Sequence, residues 1–135
     1  ATPAQATATR PGTPKLAWVA PPADYVASSG KAVPADALDL LVRIVSMGKL
    51  HHAITGTGAV AVGAAAAVEG SIVAQALRPG LATGHDVRMG HTSGVLAVGA
   101  TAGHTPEQGW AISKVRLSRS ARRLMEGVVL VPAVG

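Results

Sequence analysis

Between Gly56 and Val68 the chain reads GTGAVAVGAAAAV, a stretch without a charge and without a side chain larger than valine. As a helix this segment is hydrophobic on every face, and a helix of that kind has to be covered from all sides. Whatever the fold, other elements must therefore wrap this one. The material for wrapping is small: 48% of the 135 residues are hydrophobic but only 2% are aromatic (Trp18, Tyr25 and Trp110). A core of Ala, Val, Leu and Ile lets backbones approach closely while burying little area per residue. The length suits one ordinary domain or half of a larger one. With 14% charged residues, disorder is excluded for most of the chain. The longest apolar run, Ala59 to Val68, is too short to span a bilayer, so no membrane partner is expected.

The elements expected around that helix are mostly strands. Lys15–Ala20 (KLAWVA) reads as a strand stopped by Pro21-Pro22. Pro34 is expected to open an amphipathic helix through about Met47. There Leu38, Leu41, Val42 and Val45 recur at three- and four-residue steps, with Asp36 and Asp39 near the start. Gly48 ends it, Lys49–Ile54 is a short connection, and the buried helix follows over Gly56–Val68. Further strands are expected at Ser71–Leu77, Asp86–Met89, Val95–Ala102 and Gly109–Leu117, with Gly90–Gly94 (GHTSG) as a hairpin turn. A short helix over Arg119–Glu126 and a last strand over Val128–Val131 complete the plan. Residues 1–14 (ATPAQATATRPGTP) lack the apolar stretch of a signal peptide and read as a linker or flexible tail. The fold class is α/β (α+β): strands forming a barrel-like sheet around one buried central helix.

Charge and composition narrow the function. The formal charge is +5, and Lys114, Arg116, Arg119, Arg122 and Arg123 cluster near the end of the chain. No aromatic residue follows Ile112, so the stacking platforms of single-strand recognition are missing and nucleic acid is disfavoured as a partner. Salt bridges or solvation are the default for these arginines. The absence of Cys removes disulfides, thiolate metal sites and a cysteine nucleophile, and is compatible with a reducing compartment. His51, His52, His85, His91 and His104 form no HxxxH or HxH pair, so no metal is expected. No Gly-x-Ser-x-Gly elbow supports a Ser-His-Asp triad.

One segment offers a site. Gly56-Thr57-Gly58 stands at the start of the buried helix, where the first N–H groups lack intrahelical partners and the dipole is positive. Two glycines let a carboxylate or phosphate approach the backbone. The same residues also suit a plain Thr55 N-cap with glycines needed for packing, and both readings stand on local sequence. Lys49, His51 and His52 precede the helix and are candidates for a second carboxylate. In an extended segment only one of the two histidines faces the site. Ser93 and Gly94 would add an N–H and a hydroxyl from the hairpin, or serve only as a turn.

Thr55-Gly56-Thr57-Gly58-Ala59 resembles the Cys-Gly-Ser/Thr-Gly-Ala signature of the diaminopimelate epimerase-like fold, with Thr55 at the cysteine position. APPADYV (Ala20–Val26), SMGKLHHA (Ser46–Ala53), GHTSG and SRSARRLMEG (Ser118–Gly127) are more specific. In that order they resemble the methylaconitate isomerase family of PrpF type, which includes oxalomesaconate tautomerases and methylitaconate isomerases. The resemblance runs from Lys15 to Pro132 and implies that residues 15–135 are the C-terminal half of such a protein. It implies a cytoplasmic isomerase without metal or organic cofactor, built from two similar halves with the active site between them. By the same resemblance, a Lys and a Cys in the N-terminal half move the proton of a small unsaturated di- or tricarboxylate. No catalytic residue is then expected in this chain, because an unactivated hydroxyl at Thr55 is far too weak a base to replace a thiol. Lys49, His51, His52, Thr55, Gly56, Thr57, Gly58, Ser93 and Gly94 would bind substrate. Partners would be the N-terminal half and, as a further option, a second copy in a homodimer. Gly127–Pro132 would dock on the N-terminal half or on a partner chain. A non-catalytic carboxylate-binding or assembly module is the alternative, and a two-base epimerase is disfavoured by Thr55.

Overall fold

A computed structural model describes residues 2–10, 12–81 and 84–132. The helices are α1 (Pro3–Thr9), α2 (Gly56–Ala66) and α3 (Ile72–Gln75). The strands are β1 (Leu16–Ala20), β2 (Tyr25–Val26), β3 (Ala32–Val33), β4 (Leu40–Ser46), β5 (Lys49–Leu50), β6 (Val87–His91), β7 (Gly94–Thr105) and β8 (Gly109–Leu117). The main sheet runs β1-β4-β6-β7-β8, with β5 beside the end of β4, and β2 and β3 form a separate pair. Neighbours are antiparallel except β4 and β6, which meet in parallel through Leu40–Met89 and Leu41–Gly90. The expected mixed α/β class holds.

The core lies between this sheet and one face of α2. Leu40, Val42 and Ile44 from β4, Val87 and Met89 from β6, and Val98 from β7 meet Ala59 and Val62. Close approach is required at Gly63, where an added Cβ would stand 2.5 Å from Val98 Cγ1. A smaller cluster of Ala27, Val33 and Leu38 packs with Tyr25 and Leu41 under β2 and β3. Within this chain the wrapping of α2 is one-sided. Thr57 and Ala61 are exposed, and Ala65 and Ala66 are half-buried.

Four expectations are corrected. Residues 40–46 are a strand, not the second half of a helix. Leu40, Val42 and Ile44 alternate inward, and the β-branched residues that mimicked a helical stripe prefer the pleated surface. Only the single 3-10 turn Ala35–Ala37 follows Pro34. Within the expected strand 71–77, Ile72–Gln75 is helical rather than extended, because Ser71 acts as an N-cap: its Oγ accepts from Ala74 N at 3.0 Å and donates to Ala65 O at 2.6 Å. Residues 118–132 hold no regular structure and are exposed, so neither the helix over 119–126 nor the strand over 128–131 forms in this chain. An eight-residue helix is too short to persist without a packing surface, and an unpaired strand has no ladder. Residues 3–9 form a helix with a Thr2–Gln5 capping box, although none of its residues is buried.

A tie across 49 residues sets where β4 begins. The carboxylate of buried Asp39 accepts from Arg88 Nη2 at 2.7 Å, Arg88 Nε at 3.0 Å and Arg88 N at 2.9 Å. Arg78 Nε stands 3.5 Å from the same group, and Arg78 Nη2 donates to Leu38 O at 2.7 Å. Burial alone would raise the Asp39 pKa, but the hydrogen bonds and charge of Arg88, with the charge of Arg78, hold it below the ordinary value.

Candidate functional site

The N-terminus of α2 is built as its residues dictate. Thr55 is extended, and its Oγ1 accepts from Gly58 N at 3.1 Å while its carbonyl accepts from Ala59 N at 2.8 Å. Gly58 is thereby committed to the cap. It is also a packing glycine, since a Cβ there would stand 2.5 Å from Ile44 Cδ1. The N–H groups of Gly56 and Thr57 donate to no acceptor among the described residues. The two sequence readings thus divide by residue: Thr55 and Gly58 make the cap, and Gly56 and Thr57 keep open donors at the positive end of the helix.

Gly56 has space on its open side. The nearest group to an added Cβ is the Arg119 guanidinium, with Nη2 at 3.5 Å. The sequence alone assigns Arg119 to a salt bridge or to solvent; in the structure its head lies over the start of α2. Only its place in the SRSARR motif hinted at more. Of its neighbours, Arg123 pairs with Glu126 at 2.7 Å and Arg116 with Asp86 at 2.8 Å, as ordinary salt bridges.

The structure brings the histidine segment and the hairpin together. His51 and His52 stack with ring centroids 4.7 Å apart, so they do not point to opposite sides of an extended chain. His51 Nδ1 accepts from Ala53 N at 3.1 Å, which in the neutral ring leaves the proton on Nε2 as a donor. Thr92 Oγ1 donates to His51 O at 3.2 Å, and Ser93 Oγ donates to His52 O. Gly94 takes φ of 143° at the start of β7, and its carbonyl accepts from Tyr25 OH at 2.6 Å. His91 joins this cluster: Ser93 N donates to its Nδ1 at 3.2 Å. Burial, then the charges of Arg43 and His51, push its pKa down. Lys49 is exposed on β5 and makes no ion pair among the described residues.

A separate hollow lies elsewhere. It is an open groove of about 560 Å³ beside the far end of α2, between Gly63, Ala66, Leu77, Val87, Ala100 and Trp110. Its lining is mostly apolar but includes Glu69, His85 and His104, and the start of α2 is not part of it. Among the described residues no three His, Asp or Glu gather as metal ligands, and no helix is long and apolar enough to cross a membrane.

Comparison with known proteins agrees with the motifs. The family described as PrpF protein matches residues 1–132. The 2-methyl-aconitate isomerase of Shewanella oneidensis is 56% identical over 126 residues, which are 93% of this chain and 31% of that protein. The 3-methylitaconate isomerase of Eubacterium barkeri is 38% identical over 134 residues, 97% of this chain and 33% of that protein. A crystal structure of methylitaconate-delta-isomerase superposes with a TM-score of 0.70 at 32% identity, covering 87% of this chain and 31% of the other. The chain spans about a third of the length of these relatives. Motifs, fold and overall likeness converge, and the chain belongs to the PrpF family.

Proposed function

We propose that this chain is the carboxylate-holding part of an isomerase that shifts a proton and double bond in a small unsaturated di- or tricarboxylate of methylaconitate, aconitate or oxalomesaconate type. The observation that carries the reading is the open start of α2, where Gly56 and Thr57 present unengaged N–H groups beneath the Arg119 guanidinium. Abstracting a proton beside an unsaturated carboxylate moves charge onto the carboxylate oxygens, and preorganised donors stabilise it as it develops. The Thr57 hydroxyl, the histidine pair and Lys49 complete the substrate-binding set, with the hairpin of Ser93 and Gly94 held against the histidine segment. The proton itself is moved by a Lys and a Cys outside this chain. The isomerase names of relatives at 56% and 38% identity favour this over a purely binding or assembly role.

The exposed segment after β8 fits the same picture. Val128, Val129, Leu130 and Val131 are 79 to 91% exposed, a row of apolar side chains that belongs against another sheet. It docks on the rest of the full-length protein, which also covers the outer face of α2.

Calorimetry of the full-length enzyme with aconitate tests the proposal. Gly56→Val places a side chain where the carboxylate would sit, while the nearest atom to its Cβ is the movable Arg119 head at 3.5 Å. Folding is retained and aconitate binding is lost. Undiminished affinity in a folded variant would place the anion elsewhere.

A further inference from the structure

We propose that Thr92 and Ser93 are positioning residues for the open end of α2, and that they act on substrate through the His51–His52 segment rather than by touching it. The proposal rests on the reading that this helix end receives a carboxylate. A hydroxyl has one proton to donate. That of Thr92 goes to His51 O at 3.2 Å and that of Ser93 to His52 O. Two successive carbonyls are thus held, just upstream of Thr55, the residue that caps α2.

The other bonds on this stretch are few. His51 N donates to Ile44 O at 2.8 Å, Ala53 N donates to His51 Nδ1 at 3.1 Å, and Ile54 packs on the core. The clamp is itself anchored. Tyr25 OH lies 2.6 Å from Gly94 O and 2.9 Å from His91 O, its one proton shared between the two carbonyls at the mouth of the hairpin. Ser28 N donates to Thr92 O at 2.8 Å, and Arg43 Nη1 donates to Gly90 O at 3.1 Å while its head lies 5.0 Å from the Tyr25 ring centroid. The hairpin tip is therefore a fixed point, and the hydroxyls transmit its position to the chain that sets the direction of the Gly56 and Thr57 N–H groups. Misaimed donors bind a carboxylate poorly even when all of them are present.

A double-mutant cycle in the full-length enzyme tests this, with aconitate as the probe and dissociation constants from calorimetry. Ser93 is exposed, so Ser93→Ala keeps the fold, and it should weaken aconitate binding roughly tenfold, the scale of one charge-assisted hydrogen bond. Ser93→Thr, which keeps the hydroxyl, should restore affinity to within about twofold of wild type. With the helix end already obstructed by Gly56→Ala, adding Ser93→Ala should cost less than about twofold more. Thr92→Val should repeat the pattern, and Thr92→Ser should reverse it. Equal fold losses from Ser93→Ala in both backgrounds would mean a direct, independent contact with substrate and would overturn the proposal, as would unchanged affinity in Ser93→Ala. If Gly56→Ala alone leaves affinity unchanged, the carboxylate reading of α2 fails first and the positioning role falls with it.

Discussion

Replacing Asp39 by Asn removes one charge while keeping shape, and the structure sets what that costs. Three donors from Arg88 converge on the Asp39 carboxylate within 3.0 Å, and Arg78 Nε stands at 3.5 Å. An amide retains one acceptor oxygen and turns an NH2 group toward donors, so at least one charge-assisted bond is lost. Such a bond contributes about 1.5–3 kcal/mol. Removing one partner of a fully buried ion pair costs about 3–5 kcal/mol. Here the Arg88 and Arg78 side chains are 43% and 35% exposed, so water takes over part of their solvation. The expected loss at pH 7 is therefore about 2–3 kcal/mol. Urea unfolding of the protein followed by circular dichroism measures it. The pH dependence follows from the depressed pKa of Asp39. Its contribution is fully present above the unfolded value of about 3.9 and is lost as pH falls through the lower folded value. The gap between wild type and Asp39→Asn should hold from pH 7 to about 5 and narrow below about 4. A loss under about 0.5 kcal/mol, or a gap that stays constant down to pH 3, would show that the pair does not act as a charge pair.

Gly63→Ala should destabilise by about 1 kcal/mol, because crowding of Val98 at 2.5 Å outweighs the helix propensity gained. Stabilisation by a similar amount would mean that α2 does not seat on β7 at this point. Thr55→Ala removes the α2 cap and should lower stability by about 1 kcal/mol, read as a shift in the urea midpoint at constant slope. Gly58 N is then freed, so an unchanged midpoint would place the cap elsewhere. The lowered pKa of His91 makes stability fall as pH drops below about 6.5, where the unfolded ring protonates first. His91→Gln should flatten that slope between pH 7 and 5.5, and an unaltered slope would mean another group carries it.

The parts of this protein legible in the sequence are those governed by neighbours along the chain. The turn within Gly90–Gly94, the strands at Leu16–Ala20, Val95–Ala102 and Gly109–Leu117, and the helix starting at Gly56 each carry local signals: turn residues, strand-forming residues between turns, or a threonine cap before small apolar residues. The family resemblance was legible for the same reason, since its motifs are short and contiguous. Only tertiary structure decided between periods where the pattern served both. Leu38–Val45 matches a helical stripe and an alternating strand equally, and the slot between β1 and β6, buried under α2, selects the strand. Likewise no spacing reveals that Asp39 meets Arg88, that Arg119 lies over Gly56, or that the Ser93 hydroxyl is spent on His52 O. Those contacts join residues far apart in sequence, and their free energy exists only once the sheet has brought them together.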